Sequence, residues 1–334
     1  MDVSVILLTY NHERFLTQAI ESVLAQRTRT PFELLITEDC STDRTREIID
    51  AFAARHPDRI QVLLSEHNLK SNESTLRALR AARGRYLAFL DGDDYWTSNE
   101  KLQDQVDFLD MHQQCTMCFH NATVIRDDGS TLKRHVTATN LPTITELSNL
   151  LGGNYVAGCS AMIRRDVLQE IPAWYEHAPY GDWPLYIFAA QRGSIGFLPE
   201  TRGVYRVHDK GVWSSATRDR QIQGNIQFYN ALADHLGPSF RPQILPRLAR
   251  HYFELGILKK DAGRYAEAVE YLVTSIRIRP FTSEIPRGRR VWHLARLGIW
   301  ALFGLGFTPR DAISAAIRAA RSTSRLLPSG SGTG

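Results

Sequence analysis

Residues 3–10 read VSVILLTY and residues 84–96 read GRYLAFLDGDDYW. Each is an apolar run, rich in β-branched or aromatic residues, that closes on a polar cluster, the pattern of a buried strand. Between them lie two more such runs, Glu33–Glu38 (ELLITE) and Ile60–Leu64. The intervening segments carry helical spacing: Phe15, Leu16, Ala19, Ile20, Val23 and Leu24 within Glu13–Gln26, then Ile48, Ile49 and Phe52, then Leu76–Ala82. Ser41 and Thr42 are expected to cap the second helix and Gly84 to end the third. The first ~95 residues therefore read β-α-β-α-β-α-β, which implies a parallel sheet between helices. In open sheets of this kind ligands bind beyond the carboxyl ends of the strands. Thr9-Tyr10-Asn11, Glu38-Asp39 and Asp91–Asp94 should then share one rim.

Further on, a helix carrying Leu102, Val106 and Leu109 leads to a strand over Met117–Arg126. Asp182–Arg192 reads as a helix ending at Gly193, and Ile195–His208 as a strand pair or a strand and loop. From Gln221 to Arg279 the pattern is helical. Residues 249–280 resemble one tetratricopeptide unit, with Tyr252, Leu255, Gly256, Ala268, Leu272 and Pro280 at its signature spacings. A single repeat must pack on neighbours, so flanking helices are expected. Val291–Phe307 is apolar nearly all round and flanked by arginines, and residues 328–334 (PSGSGTG) read as a disordered end.

The 334 residues are 43% hydrophobic and 23% charged, an ordinary globular composition that excludes collagen-like, disulfide-stapled and wholly disordered classes. The formal net charge of +4 conceals an asymmetry. Residues 240–334 hold 16 Lys+Arg against 6 Asp+Glu, which leaves 24 against 30 upstream. The two parts are expected to do different work. Four cysteines fit reduced thiols, and Cys115-x-x-Cys118 lacks the second pair or histidines of a zinc site. With neither a secretory leader nor an 18-residue apolar span read, a cytoplasmic protein is expected.

The chemistry-bearing signal is Asp91-Gly92-Asp93-Asp94. Three carboxylates in four residues repel one another unless a cation sits among them, and Mg²⁺ or Mn²⁺ suits such an oxygen-ligand set. The bland alternative is an acidic turn capping the next helix. Gly92 would let the backbone approach a ligand. Asp39 could cap a helix, Tyr10 could be core and Lys70 could be a solvated surface lysine. Asp182, before Trp183-Pro184, could likewise be an N-cap.

Taken in order, LTYNHERFL (8–16), TEDCSTDRT (37–45), GRYLAFLDGDDYW (84–96), GDWPL (181–185) and YRVH (205–208) make the chain resemble glycosyltransferase family 2, over roughly residues 3–215. The resemblance implies a GT-A fold: a Rossmann-like, mainly parallel sheet sandwiched by helices, over 1–215, followed by a helical region, 216–327. It implies an inverting, metal-dependent transfer of a sugar from a nucleotide donor, taken as a UDP-sugar, to a hydroxyl acceptor in polysaccharide or glycoconjugate assembly. It further implies that Tyr10 stacks on the donor base between Thr9 and Asn11, and that Asp39 contacts the uracil ring with support from Glu38. Lys70 falls at a donor-contact position. Asp91 would face ribose and metal, Asp93 would bind the metal, and His208 would be a third ligand or a phosphate contact. Asp182 would be the general base, and Trp213-Ser214-Ser215 a lid. Leu8, where the family usually has proline, and Cys40, where it has a small polar residue, depart from the pattern without removing a catalytic group.

The expected partners are the donor and a glycan or lipid-linked acceptor, with no nucleic acid. The segment 291–307 fits either an interfacial helix on an anionic membrane, at the inner face of the plasma membrane, or a helix packed on protein. Two other functions compete. A nucleotidyltransferase would need a Gly-rich loop after the first strand, and residues 9–15 (TYNHERF) contain no glycine. A non-catalytic scaffold recruiting partners through its helical tail would have no reason to gather Asp39, Asp91, Asp93 and Asp182.

Overall fold

The computed structural model describes residues 1–209, 211 and 215–279. Most of the lid (213–214), the 291–307 segment, Pro280 and the 328–334 tail lie outside the described residues. The chain divides into two compact units, Met1–Ser215 and Ala216–Gly334.

The first unit is a mixed α/β fold. Its elements run β1 (Val3–Thr9), α1 (Leu16–Leu24), β2 (Phe32–Glu38), α2 (Thr45–Arg55), β3 (Ile60–Leu64), α3 (Glu73–Ala81) and β4 (Tyr86–Asp91). The short β5 (Tyr95–Trp96), α4 (Lys101–Met111), β6 (Cys115–Arg126), β7 (Thr131–Lys133), β8 (Ile144–Thr145) and α5 (Leu147–Leu150) come next. Then follow β9 (Ala161–Arg164), α6 (Trp183–Ala190) and β10 (Ser194–Val207). One sheet runs β3-β2-β1-β4-β9-β6-β10-β5, with β7 on β6 and β8 on β10. The first four strands are parallel, as are β6 and β10; β9 sits antiparallel between β4 and β6. Every residue of β2 is buried, as expected of a strand covered on both faces. α1 presents Leu16, Ala19, Ile20 and Val23 to the sheet as one helical stripe.

The strand order reverses at β1, with β2 and β3 on one side and β4 on the other. That switch point opens a crevice at the strands' carboxyl ends. In register, Leu8 stands beside Asp91, and Thr9 beside Glu38.

Several boundary expectations are corrected. α1 starts at Leu16, after a turn in which the Phe15 and Leu16 N–H groups donate to His12 O. Ser41 and Thr42 do not cap α2. Ser41 Oγ accepts from Asn11 N (2.9 Å) and Thr42 N donates to Asn11 Oδ1 (2.8 Å), while Asp43 Oδ1 takes Thr45 N (2.9 Å) at the helix start. These bonds tie the β1–α1 and β2–α2 loops together. Gly84 does not end α3, whose cap is Ala82. Glycine is needed there because a Cβ would lie 2.4 Å from Ser4 N and 2.6 Å from Val3 C. Gly193 likewise lies beyond the cap of α6, Gln191, and is crowded by Gln114 O. Ile195–His208 is not a strand pair but one long, bulged strand, β10. Cys115, Cys118 and Cys159 are buried free thiols.

The second unit contains α7 (Arg218–Leu236), α8 (Arg241–Asp261) and α9 (Tyr265–Ile278) among the described residues. Phe253, Ala268, Val269 and Leu272 form its buried cluster. Gly256 lets α8 approach α9, since a Cβ there would meet Leu272 Cγ at 2.8 Å, and Gly263 turns the chain at φ +73.

Replacing Gly84 by Ala should destabilise the first unit by about 1–3 kcal/mol through overpacking against the backbone of β1. Chemical denaturation checks this, and an unchanged midpoint would contradict the stated contact.

Candidate active site

The loops after β1, β2 and β4, the start of α3 and the start of α6 enclose a cavity of about 510 Å³. Thr9, Tyr10, Asn11, His12 and Asp39 line its rim side, Ser71, Asn72, Ser74 and Thr75 one wall, and Asp91, Gly158, Asp182 and Tyr186 its inner end. Tyr10 is 37% exposed, so its ring is open to a stacking partner rather than built into the core. Asp39 is not a helix cap, since α2 begins at Thr45. One Asp39 oxygen accepts from Leu69 N (2.9 Å), and burial raises its pKa against that bond. Asn11, Cys40 and Lys70 all have positive φ (55, 61 and 50), a conformation that costs a non-glycine residue energy and clusters at functional loops.

Three expected donor residues stand elsewhere. Glu38 is fully buried and does not line the cavity. Its Oε1 accepts from Ser41 N, and its Oε2 binds the Arg46 guanidinium at 2.6 Å. It anchors the loop that carries Asp39. Lys70 is exposed and outside the cavity lining. Gly92 serves packing within the protein: a Cβ there would lie 2.7 Å from His12 Nδ1 and 2.8 Å from Thr9 Oγ1.

Asp91, Asp93 and Asp94 each bring a carboxylate oxygen within 4.8 Å of the others. Burial, then Asp93, then Asp182 push the Asp91 carboxyl up to about 8. Burial acts on Asp93 in the same direction, but the His208 hydrogen bond and the charges of His12 and His208 outweigh it and hold Asp93 low. Burial and its two acidic neighbours raise Asp94. His208 Nε2 donates to Asp93 Oδ2 at 2.9 Å, and His12 Nε2 lies 3.8 Å from the same oxygen. Asp94 Oδ1 accepts from Arg206 N (2.8 Å), while its buried Oδ2 has no partner among the described residues. The Arg206 guanidinium donates to Asp93 O (2.9 Å) and to Gln18 Oε1 (3.0 Å), and stacks 4.5 Å from the Phe15 ring. Clustered carboxylates with a free buried oxygen, flanked by a histidine, make a donor set that fits a hard divalent cation.

Asp182 closes the inner end. It occupies the N-cap position of α6 without a side-chain cap bond, and Asn154 Nδ2 donates to its Oδ2 at 3.1 Å. Burial raises its pKa against the Trp183 N–H, its own N–H and Asn154. At Gly158 a Cβ would stand 3.4 Å from Asp91 Oδ2 and 4.0 Å from Asp182 Oδ2, so one small residue separates the two carboxylates. Asn72 sets the approach to Asp182: its side-chain amide donates to Tyr175 O (2.8 Å), Tyr180 O (3.0 Å) and Ala178 O (3.2 Å). Tyr175 OH adds a bond to Gly181 O (2.8 Å).

His12, Asn72, Asn154, Gly158 and Arg206 are site residues that sequence reasoning missed. Only His12 and Arg206 lay within quoted motifs. The others are single small or amide residues with no local signature.

Replacing Glu38 by Gln removes the ionic partner of Arg46 and should cost on the order of 2 kcal/mol at neutral pH. The Glu38 pKa is lowered on folding, because the Ser41 and Arg46 contacts outweigh burial. Its contribution is therefore complete above the unfolded value of about 4.3 and lost as pH falls through the folded value. The variant's deficit, measured by denaturation across pH 3–7, should shrink on the acid side; a pH-independent deficit would contradict the ion pair.

The sequence profile described as Glycosyl transferase family 2 matches residues 4–172. An uncharacterised protein of Mycobacterium tuberculosis (strain ATCC 25618 / H37Rv) is 37% identical over 225 residues, 66% of this chain and 62% of its own length. The putative teichuronic acid biosynthesis glycosyltransferase TuaG of Bacillus subtilis is 34% identical over 170 residues, 51% of this chain and 64% of its own. Among solved structures, Staphylococcus aureus TarS 1–349 in complex with UDP-GlcNAc aligns with a TM-score of 0.63 at 19% identity. That alignment covers 98% of this chain and 93% of the TarS chain, and it supports the GT-A fold. With the profile spanning half of its length and the switch-point crevice in place, the chain belongs to glycosyltransferase family 2.

Proposed function

We propose that the protein is an inverting, metal-dependent glycosyltransferase that moves a sugar from a UDP-sugar to a hydroxyl of a growing glycan or lipid-linked acceptor. The observation that carries this reading is the pair Asp91 and Asp182, two carboxylates reaching the same end of one cavity past Gly158. A single displacement needs a base on the face of the anomeric carbon opposite the leaving group.

Tyr10 and Asp39 hold the base of the donor, with Thr9 and Asn11 beside them. Asp182 accepts the proton of the acceptor hydroxyl as that oxygen bonds to the anomeric carbon. The bond from that carbon to the diphosphate oxygen breaks, and the nucleoside diphosphate leaves with the electron pair. Asn154 orients Asp182, and the raised pKa of Asp182 suits proton uptake. Asp91 and Asp93 would hold Mg²⁺ or Mn²⁺, with His208 as a further ligand or as the donor that orients Asp93. When bound, the cation supplies charge neutralisation of the diphosphate.

By their names TuaG acts in teichuronic acid biosynthesis and TarS is a poly(ribitol-phosphate) β-N-acetylglucosaminyltransferase, which supports a polymeric glycan or glycoconjugate acceptor here. The nucleotidyltransferase and scaffold alternatives have no comparable support. We read residues 249–280 as one tetratricopeptide-like unit, an assignment that Gly256 against Leu272 and the turn at Gly263 favour. Among the described residues no helix is long and apolar enough to cross a membrane. We assign the protein to the cytoplasm, with any peripheral membrane or protein contact on segment 291–307, by its sequence pattern.

The decisive experiment is calorimetric binding of UDP with and without Mn²⁺, followed by turnover. UDP should bind only with the metal, and metal-independent binding would remove the cation from the reading. Asp93→Asn should abolish transfer with little loss of thermal stability; undiminished turnover in that variant would reject its assignment. Asp182→Asn should retain UDP-sugar affinity while turnover falls about 10²–10⁴-fold. Collapse of donor binding in that variant would mark Asp182 as structural instead.

A further inference from the structure

Helix α6 (Trp183–Ala190) is buried at all eight positions, and Tyr186 is the residue in it with a hydroxyl. Tyr186 is 1% exposed, it lines the cavity, and its Oη has no hydrogen-bond partner among the described residues. A phenol in so apolar a helix is costly to leave unpaired, and phenylalanine would fill the space without that cost. The neighbouring buried phenol shows the usual solution, since Tyr175 OH donates to Gly181 O at 2.8 Å. In the first turn of α3, Ser74 Oγ is also buried, also without a partner among the described residues, and also on a lining residue.

Of the other polar groups that line the cavity, the Asn72 amide serves three carbonyls, and one oxygen of Asp182 takes Asn154. Tyr186 follows Asp182 by one helical turn, so both lie on the same face of α6. The charges of Asp182 and Asp91 both bear on its phenol. The ligand group that meets Tyr186 therefore lies near Asp182, the base that the donor reading sets against the anomeric carbon.

We infer that Tyr186 and Ser74, two unpaired hydroxyls lining one cavity with Asp91 and Asp182, are contact residues for the ring hydroxyls of the sugar being transferred. The inference rests on the donor reading above. A hydroxyl both donates and accepts, so each of the two can pair with a sugar hydroxyl of either sense.

The test measures binding of UDP, UDP-glucose, UDP-galactose and UDP-N-acetylglucosamine in the presence of Mn²⁺, on the full chain and on Tyr186→Phe and Ser74→Ala. The wild-type protein should bind one UDP-sugar more tightly than UDP. Each variant should bind UDP within twofold of wild type, bind that UDP-sugar about 3- to 10-fold more weakly, and unfold at an unchanged or higher temperature. Variants whose UDP and UDP-sugar affinities fall together, or whose sugar affinity does not fall, would overturn the pocket while leaving the donor reading intact. Failure of the wild type to bind UDP would overturn the donor reading and, with it, this inference.

Discussion

Crowded negative charge is the constraint on which this site depends. Asp91, Asp93 and Asp94 converge at the end of β4, with Asp182 beside them across Gly158. Such a group is tolerated only where something opposes it. In the protein alone the opposition comes from His12 in the first loop and from the end of β10 with the residue after it. Arg206 grips the acidic loop through its backbone and side chain, and His208 fixes one oxygen of Asp93. These contacts neutralise part of the repulsion and leave Asp94 Oδ2 and the upward-shifted Asp91 uncompensated. The remaining imbalance is what a divalent cation with its diphosphate would relieve.

The fold delivers this charge to the right place. Reversal of strand order at β1 creates the crevice, and the register of β1 with β2 and β4 sets Thr9, Glu38 and Asp91 side by side. The loops above are then locked to one another rather than left independent. Asn11 holds Ser41 and Thr42, Glu38 holds Ser41 and Arg46, and Asn72 holds the approach to Asp182. The rim that would receive a nucleotide is a set of short segments stapled together by side chains, and Asn11 among them carries left-handed backbone.

Much of this was legible from residue order because strand-end chemistry is local. Tyr10, Asp39 and Asp91 follow apolar runs whose period and length identify them as buried strands, and the topological rule places their ends together. Legibility fails where a partner is distant. Glu38 looks like a donor contact beside Asp39, yet the alternation of a strand turns adjacent side chains to opposite faces, and Arg46 claims it. Gly92 reads as a point of backbone approach to a ligand and Gly84 as a helix stop, whereas each is small because another segment passes within contact distance. Lys70, which the resemblance puts at a donor-contact position, is exposed and outside the cavity lining. Asn72, Asn154 and Gly158 carry no local pattern at all; their meaning exists only after α3, α6 and β9 have come together.

The long reach of β10 has a consequence for how the protein is made. Arg206 joins Gln18 across 188 positions and Asp93 across 113, so Arg206 and His208, two of the partners of the acidic centre, are among the last parts of the first unit to leave the ribosome. A truncated product ending where the family profile ends, at residue 172, would keep the three clustered carboxylates but lack Asp182, Arg206 and His208. Nascent chains of this protein should therefore commit to their native core late, once the final strand has docked.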